Sequence, residues 1–133
     1  MYKKILNDTG LLLLRALPAF FMLYSHGWSK AIKYQQLSSS FPDPLGVGNN
    51  VSLLLTIFAE VICSLALITG LFTRLAAFPL SITMLVAAFI VHGSDSFAKK
   101  EMALLYLVCF IAVLFLGPGK FSLDSTIRKK RQA

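Results

Sequence analysis

Residues 51–72 read VSLLLTIFAEVICSLALITGLF and contain a single charged residue, Glu60. About 20 consecutive apolar residues are enough for an α-helix to cross the hydrocarbon core of a bilayer. Three further apolar runs lie at about 5–26, 75–92 and 102–117. The sequence therefore predicts an all-α integral membrane protein, in which a single domain over residues 1–133 forms a four-helix transmembrane bundle.

Composition argues against other classes of protein. Of the 133 residues, 56% are hydrophobic and 14% are charged, whereas a soluble domain carries about a quarter charged residues. A soluble all-α domain of this composition would lack the polar side chains that cover a protein surface. The net charge of +7 comes largely from a basic tail over residues 120–133, and the chain has neither zinc-finger spacing nor a basic patch interleaved with aromatic residues. We therefore expect the bilayer, with its anionic lipid, and not nucleic acid as a partner.

The distribution of Lys and Arg predicts the orientation of the bundle. With four spans, both termini share one side of the membrane with the short turn between the second and third helices. That side holds eight Lys and Arg residues: Lys3, Lys4, Arg74, Lys120, Arg128, Lys129, Lys130 and Arg131. The other side holds four: Lys30, Lys33, Lys99 and Lys100. Because cytoplasmic loops carry the excess of positive charge, we expect cytoplasmic termini and an external connection over residues 28–50.

Two charged residues fall inside the predicted spans. At 1.5 Å of rise per residue, Arg15 lies about 16 Å and Glu60 about 14 Å below the outer surface, near the middle of a hydrocarbon core about 30 Å thick. A buried charge is costly unless it is paired, so we expect Arg15 and Glu60 to form an ion pair. The pair would either fix the packing of the first two helices or form the polar centre of a binding site.

Several polar side chains are expected near this centre. Some share the helix face of Glu60, others lie at the outer ends of the first and third helices, and one belongs to the fourth helix. The candidate binding residues are His26, Lys30, His92, Thr56, Ser64 and Tyr106. The simpler interpretation is that they are ordinary interfacial or packing residues. A haem held by His26 and His92 is an alternative with little support, and the spacing shows no metal site.

Two further features have structural interpretations. Cys63 and Cys109 lie in apolar runs without a CxxC motif, so we interpret them as free thiols that pack as small apolar residues, with a redox pair as the alternative. Asp124 follows a Gly-Pro-Gly turn at the same surface as Arg74. We therefore expect Asp124 to pair with Arg74 at the cytoplasmic surface.

Short motifs along the chain carry a family resemblance. The matching pieces, in order, are Leu14-Arg15, His26-Gly27 with Lys30, Phe58-Ala59-Glu60, the run from Ile68 to Arg74, the run from Pro79 to Met84, His92, and the run from Leu116 to Asp124. Together they resemble the DoxX family of small bacterial membrane proteins. The resemblance implies a four-helix protein of the bacterial inner membrane. It also implies redox associations, since some members serve thiosulfate:quinone oxidoreduction or defence against thiol stress.

Three functional hypotheses follow. The first is a membrane subunit or binding protein with a polar intramembrane site for a small amphiphile, either a quinone or a lipid. The second is a component of a membrane oxidoreductase complex with a soluble redox partner, and the third is a structural anchor that holds soluble partners through the basic tail. The chain carries no paired catalytic cysteines, so we do not expect a stand-alone enzyme, and the sequence indicates no catalytic residue and no oligomeric state.

Overall fold

The computed structural model describes all 133 residues, and every regular element in it is helical. Four helices are long and two are short. They are α1 (Tyr2–Ile32), α2 (Tyr34–Leu37), α3 (Asn49–Thr69), α4 (Thr73–Val91), α5 (Phe97–Leu116) and α6 (Leu123–Gln132). The all-α prediction is therefore confirmed.

Three of the helices, α1, α3 and α4, are long and apolar enough to cross a membrane. Helix α5 has 20 residues, but Lys99, Lys100 and Glu101 lie in its first turns and shorten its apolar part. Large hydrophobic side chains are exposed along the outer faces of the bundle, as lipid contact requires. The structure thus establishes three membrane-capable helices, one fewer than the sequence predicts.

The helices form two pairs, and their connections define two ends of the bundle. Helix α4 packs antiparallel against α5 through a short turn, and α1 packs against both α3 and α5. At one end, Asp8 of α1 accepts a hydrogen bond from the backbone N–H of Lys120, and the N–H of Asp124 donates to the carbonyl of Gly70. We call this the terminal end, and we call the opposite end, with the 33–48 connection, the loop end.

The first helix continues beyond the expected end near residue 26. A π-helical turn over Leu23–Gly27 carries the chain without a break into Trp28–Ile32. Because of this extension, Arg15 lies closer to the terminal end and Lys30 lies inside the bundle. The depth estimate for Arg15 assumed that the first span ends at His26, whereas α1 continues to Ile32.

Arg15 is buried at the terminal end, where it binds backbone carbonyls. Its Nη1 donates to Leu67 at 2.5 Å and Ile68 at 3.1 Å, and its Nη2 donates to Phe121 at 2.6 Å. The last carbonyls of a helix lack partners within the helix, and a cation is favourable at that end of the helix dipole. The prediction of an Arg15–Glu60 ion pair is therefore wrong: Arg15 caps α3.

Asp124 plays the matching role for α4. Its carboxylate accepts hydrogen bonds from the N–H groups of Phe72 and Thr73, each at 2.8 Å, where α4 begins. Arg74 instead donates to the carbonyl of Phe115 at 3.1 Å, near the end of α5. The predicted ion pair of Asp124 with Arg74 is thus not formed. The first N–H groups of a helix have no partner within the helix, and the Asp124 carboxylate accepts hydrogen bonds from them instead.

Candidate functional site

A cavity of about 620 Å³ lies at the loop end between α1, α3, α4 and α5. Its volume falls in the range of small-molecule sites, about 300–1,000 Å³. Five of the six candidate binding residues line it: His26, Lys30, Thr56, His92 and Tyr106. Ser64 does not, since its side chain is fully buried between helices and its hydroxyl has no hydrogen-bond partner. The structure therefore brings most of the expected polar residues into one site.

The charged centre of the cavity is an ion pair between Lys30 and Glu60. Lys30 Nζ lies 2.6 Å from Glu60 Oε2, and the two side chains are 23% and 5% exposed. A buried ion pair adds little net stability, but loss of one partner leaves an uncompensated buried charge. The partner of Glu60 is thus Lys30, which lies on the same helix as Arg15 but 15 positions further along the chain.

Two π-helical turns and one glycine set this pairing. The turns Leu23–Gly27 of α1 and Phe58–Cys63 of α3 face each other. A Cβ atom at Gly27 would lie 2.6 Å from the carbonyl oxygen of Glu60, so a larger residue would force the two helices apart. Extra residues inserted as π turns are frequent at functional sites, because they rotate the side chains that follow. The sequence shows the glycine but gives no sign of the π turns.

Aromatic and imidazole groups lie beside the ion pair. The ring of His26 meets the ring of Tyr106 edge to face, with centroids 5.9 Å apart, and Tyr106 in turn stacks on Phe110. At the end of α4, His92 Nδ1 lies 2.8 Å from Asp95 Oδ2. The hydrogen bond with His92 and the nearby Lys99 hold the pKa of Asp95 below its usual range. Donors and acceptors therefore reach the cavity from α1, α3 and α5, with His92 at the end of α4.

The connection between α2 and α3 covers the outer end of the cavity. It contributes five apolar lining residues: Phe41, Pro42, Pro44, Leu45 and Val47. The carboxylate of Asp43 accepts hydrogen bonds from the N–H groups of Val47 and Gly48 and from the Ser52 hydroxyl, at 2.8–2.9 Å. These bonds, the Ser52 bond foremost, lower the pKa of Asp43.

Asp43 is a structural residue of the site that the sequence analysis missed. Its only sequence signal is its place in a turn rich in Pro and Gly, where Asp side chains commonly accept hydrogen bonds from nearby backbone N–H groups.

The wall between α3 and α4 is open to the lipid-facing surface. Leu55 and Phe58 of α3 and Phe78 and Ile82 of α4 line the cavity, yet their side chains are between 43% and 56% exposed. An apolar group could therefore enter from the bilayer, between the two helices. Polar groups on one wall and an apolar opening on the other suit a ligand with a polar head and an apolar body.

Neither cysteine takes part in the cavity. Cys63 is buried in the apolar core, Cys109 is partly buried, and both thiols are free. No group of three or more His, Cys, Asp or Glu side chains lies together anywhere in the chain. His26 and His92 are the two histidines that line the cavity.

These features define a small helical membrane protein with three membrane-capable helices, a largely buried ion pair and a cavity that opens onto its apolar outer surface. The family model of DoxX matches residues 10–93 of the chain, which includes both partners of the ion pair. The chain belongs to the DoxX family. The predicted resemblance is therefore confirmed.

Comparison with known proteins gives several bacterial relatives. An uncharacterized protein of Haemophilus influenzae is 36% identical over 121 residues, which cover 83% of this chain and 85% of the relative. A second uncharacterized protein of that organism is 28% identical over 92% of this chain and 86% of its own length. The inner membrane protein YqjF of Escherichia coli is 30% identical over 96% of this chain and 98% of its own length. No solved structure matches the chain.

Proposed function

We propose that this protein is an inner-membrane binding protein or subunit that holds a small amphiphile in the loop-end cavity. The observation that carries the proposal is the Lys30–Glu60 ion pair in the wall of a cavity whose rim is formed by lipid-facing side chains. A polar headgroup would contact the ion pair, His26 and Tyr106. The apolar part would leave through the opening between α3 and α4.

A quinone fits this site better than a bulky phospholipid. The Lys30 ammonium and the His26 ring can donate hydrogen bonds to a carbonyl oxygen, and Tyr106 offers a hydroxyl and an aromatic face. The cavity of about 620 Å³ accommodates a ring and the first part of an apolar tail.

A second candidate function, a component of a membrane oxidoreductase complex, rests on the titratable groups of the same cavity. Glu60, His26 and Tyr106 could take up or release the protons that accompany quinone redox chemistry, while a soluble partner supplied the electrons.

The proposed bundle has four spans, with both termini in the cytoplasm. Helix α5 is about 30 Å long at 1.5 Å per residue, enough to cross the hydrocarbon core. It runs antiparallel to α4 and returns the chain to the terminal end, where Lys120 meets Asp8. Lys99 and Lys100 lie at its loop end, where long side chains can extend to the interface.

The test is to identify what copurifies with the protein and which residue retains it. Protein extracted in mild detergent is denatured in organic solvent, and the released material is separated and identified by mass spectrometry. Quinone in near-stoichiometric amount is expected from the wild type and from Lys33→Gln, which removes a charge directly after α1 and outside the cavity lining.

Lys30→Gln should lose most of that ligand. Equal ligand content in Lys30→Gln and wild type would exclude the ion pair as the binding centre. Recovery of haem or of phospholipid alone would overturn the quinone assignment.

A further inference from the structure

A second cleft lies at the terminal end, opposite the cavity, with a volume of about 770 Å³. Nine of its 14 lining residues are polar or charged, and five of these are cations from four parts of the chain: Lys4, Arg74, Lys120, Arg128 and Lys129. We propose that this cleft binds the phosphate group of an anionic phospholipid. The proposal does not depend on the ligand of the loop-end cavity.

The positive charge of the cleft is not neutralised within the protein. Its two carboxylates are occupied by backbone N–H groups, since Asp124 caps α4 and Asp8 accepts from Lys120. The three ion pairs of the molecule all lie towards the loop end. The cleft therefore has five cations against two carboxylates, and four of the five cations are ammonium or guanidinium groups without an ion-pair or hydrogen-bond partner.

The fold brings these cations together through the contacts already described. Asp124 attaches the start of α6 to α4, which places Arg128 and Lys129 beside Arg74. The contact of Lys120 with Asp8 adds the first turns of α1 and with them Lys4. Residues distant in sequence thus surround one space, whereas Lys130 and Arg131 continue α6 away from it.

A phosphate could come from a lipid headgroup or from a soluble phosphate ester, and the apolar border of the cleft favours the lipid. Phe72, Leu75 and Leu116 line the cleft and are all more than half exposed. They continue into the lipid-facing surface of α4 and α5, where acyl chains would lie. A headgroup bound by several cations at the membrane surface gains about 1 kcal/mol for each Lys or Arg, which is roughly a fivefold change in affinity.

The test measures lipid binding by native mass spectrometry of the whole protein in detergent. The probes are phosphatidylglycerol, phosphatidylcholine and soluble glycerol 3-phosphate. Phosphatidylglycerol should bind to the wild type more tightly than either of the others. Lys120→Gln with Lys129→Gln should weaken this binding about 25-fold, because each lost cation weakens it about fivefold.

Lys130→Gln with Arg131→Gln is the matched control, because it removes the same charge from the same end but leaves the cleft lining intact. It should change the affinity less than about twofold. Equal losses in the two double variants would overturn the proposal, since binding would then follow overall charge. Equal affinity for phosphatidylcholine would also overturn it, and glycerol 3-phosphate as tight as the lipid would exclude the phospholipid as the occupant. Both replaced lysines are exposed, and either single variant replaces the double variant if that one fails to fold.

Discussion

At the scale of single residues, the two buried charges, Arg15 and Glu60, each bind a different kind of partner. Arg15 binds the final carbonyls of α3, and Glu60 binds Lys30 inside the cavity. Opposite charge and similar estimated depth favoured a pair between Arg15 and Glu60. Neither criterion takes into account that the last carbonyls of a helix need hydrogen-bond donors from elsewhere. A guanidinium with several donors is well suited to a set of carbonyls, whereas a carboxylate in an apolar wall needs a cation.

Double-mutant cycles should separate these two roles. The effects of Arg15→Met and Glu60→Leu on the free energy of unfolding should add within about 0.5 kcal/mol, because the residues share no partner. Lys30→Met and Glu60→Leu should instead be coupled, with the double variant about 1–3 kcal/mol more stable than the sum of the single effects predicts. Equilibrium unfolding in mixed detergent measures both cycles. Strong coupling of Arg15 with Glu60 would contradict the assignment of Arg15 to the end of α3.

At the scale of helices, the site depends on the close approach of α1 and α3 at Gly27. The two π turns rotate the side chains beyond them, and the absence of a side chain at Gly27 lets the backbones meet. Small residues serve the same purpose at many helix contacts in membranes. Gly27 therefore sets the spacing of the two helices, and the π turns set the direction of the side chains that form the ion pair.

Gly27→Ala should destabilise the protein by about 1–3 kcal/mol, because its methyl group would overlap the Glu60 carbonyl. Gly10→Ala is the matched control on the same helix, since a Cβ there has nothing within 4 Å. That change should be neutral or stabilising by up to about 1 kcal/mol through helix propensity. Thermal unfolding in detergent distinguishes the two, and an equal response of both variants would show that the close contact is unimportant.

The cover over the cavity depends on the Asp43 carboxylate. Asp43→Ala should increase hydrogen exchange at Val47, Gly48 and the first turn of α3, since it removes three hydrogen bonds at once. Asp95→Ala removes a carboxylate at the same end and should leave these amides protected.

The same contacts fix the direction of the pH dependence. Because the pKa of Asp43 is lowered in the folded protein, its contribution is complete above the usual aspartate value of about 3.9 and is lost as the pH falls through the lower folded value. Protection, corrected for intrinsic exchange rates, should therefore be constant from about pH 5 to 8. A decrease within that range would assign the cover to another group.

At the scale of the whole molecule, the loop end contains a ligand-sized cavity, whereas the terminal end contains a cluster of residues whose hydrogen bonds join the ends of helices. The motifs that resemble DoxX divide between them. His26-Gly27, Lys30, Glu60 and His92 belong to the cavity end. Arg15, Gly70 and Asp124 belong to the cluster that joins helix ends. Substitutions in the second group should thus impair folding before they impair binding.

Reporter fusions should place Ala133 in the cytoplasm and the Ser38–Ser40 stretch outside it. Arg15 now adds to the positive charge of the terminal end, and Lys30 is inside the bundle, so the charge bias is stronger than the sequence count suggests. A fusion at Ala133 that is active only outside the cytoplasm would reverse the proposed orientation. It would also place the basic cleft on the outer leaflet.

The sequence predicts the helices well because apolar runs depend only on local composition. It also predicts most of the site, because His26, Lys30 and His92 lie near the ends of helices that face the same side. It fails where one helix meets another. The continuation of α1 through His26 accompanies a close contact of Gly27 with Glu60, and this contact between residues distant in sequence cannot be read from any single run of residues.

The capping of α4 by Asp124 also constrains how the protein is made. Ribosomes synthesise α4 some fifty residues before Asp124, so the start of this helix enters the membrane with its N–H groups uncapped. The hydrogen bond from Arg15 to the Phe121 carbonyl likewise forms only after residue 121 has been synthesised. Insertion and final closure are therefore separate events during biosynthesis, and a nascent chain that stalls before residue 124 would leave the start of α4 uncapped.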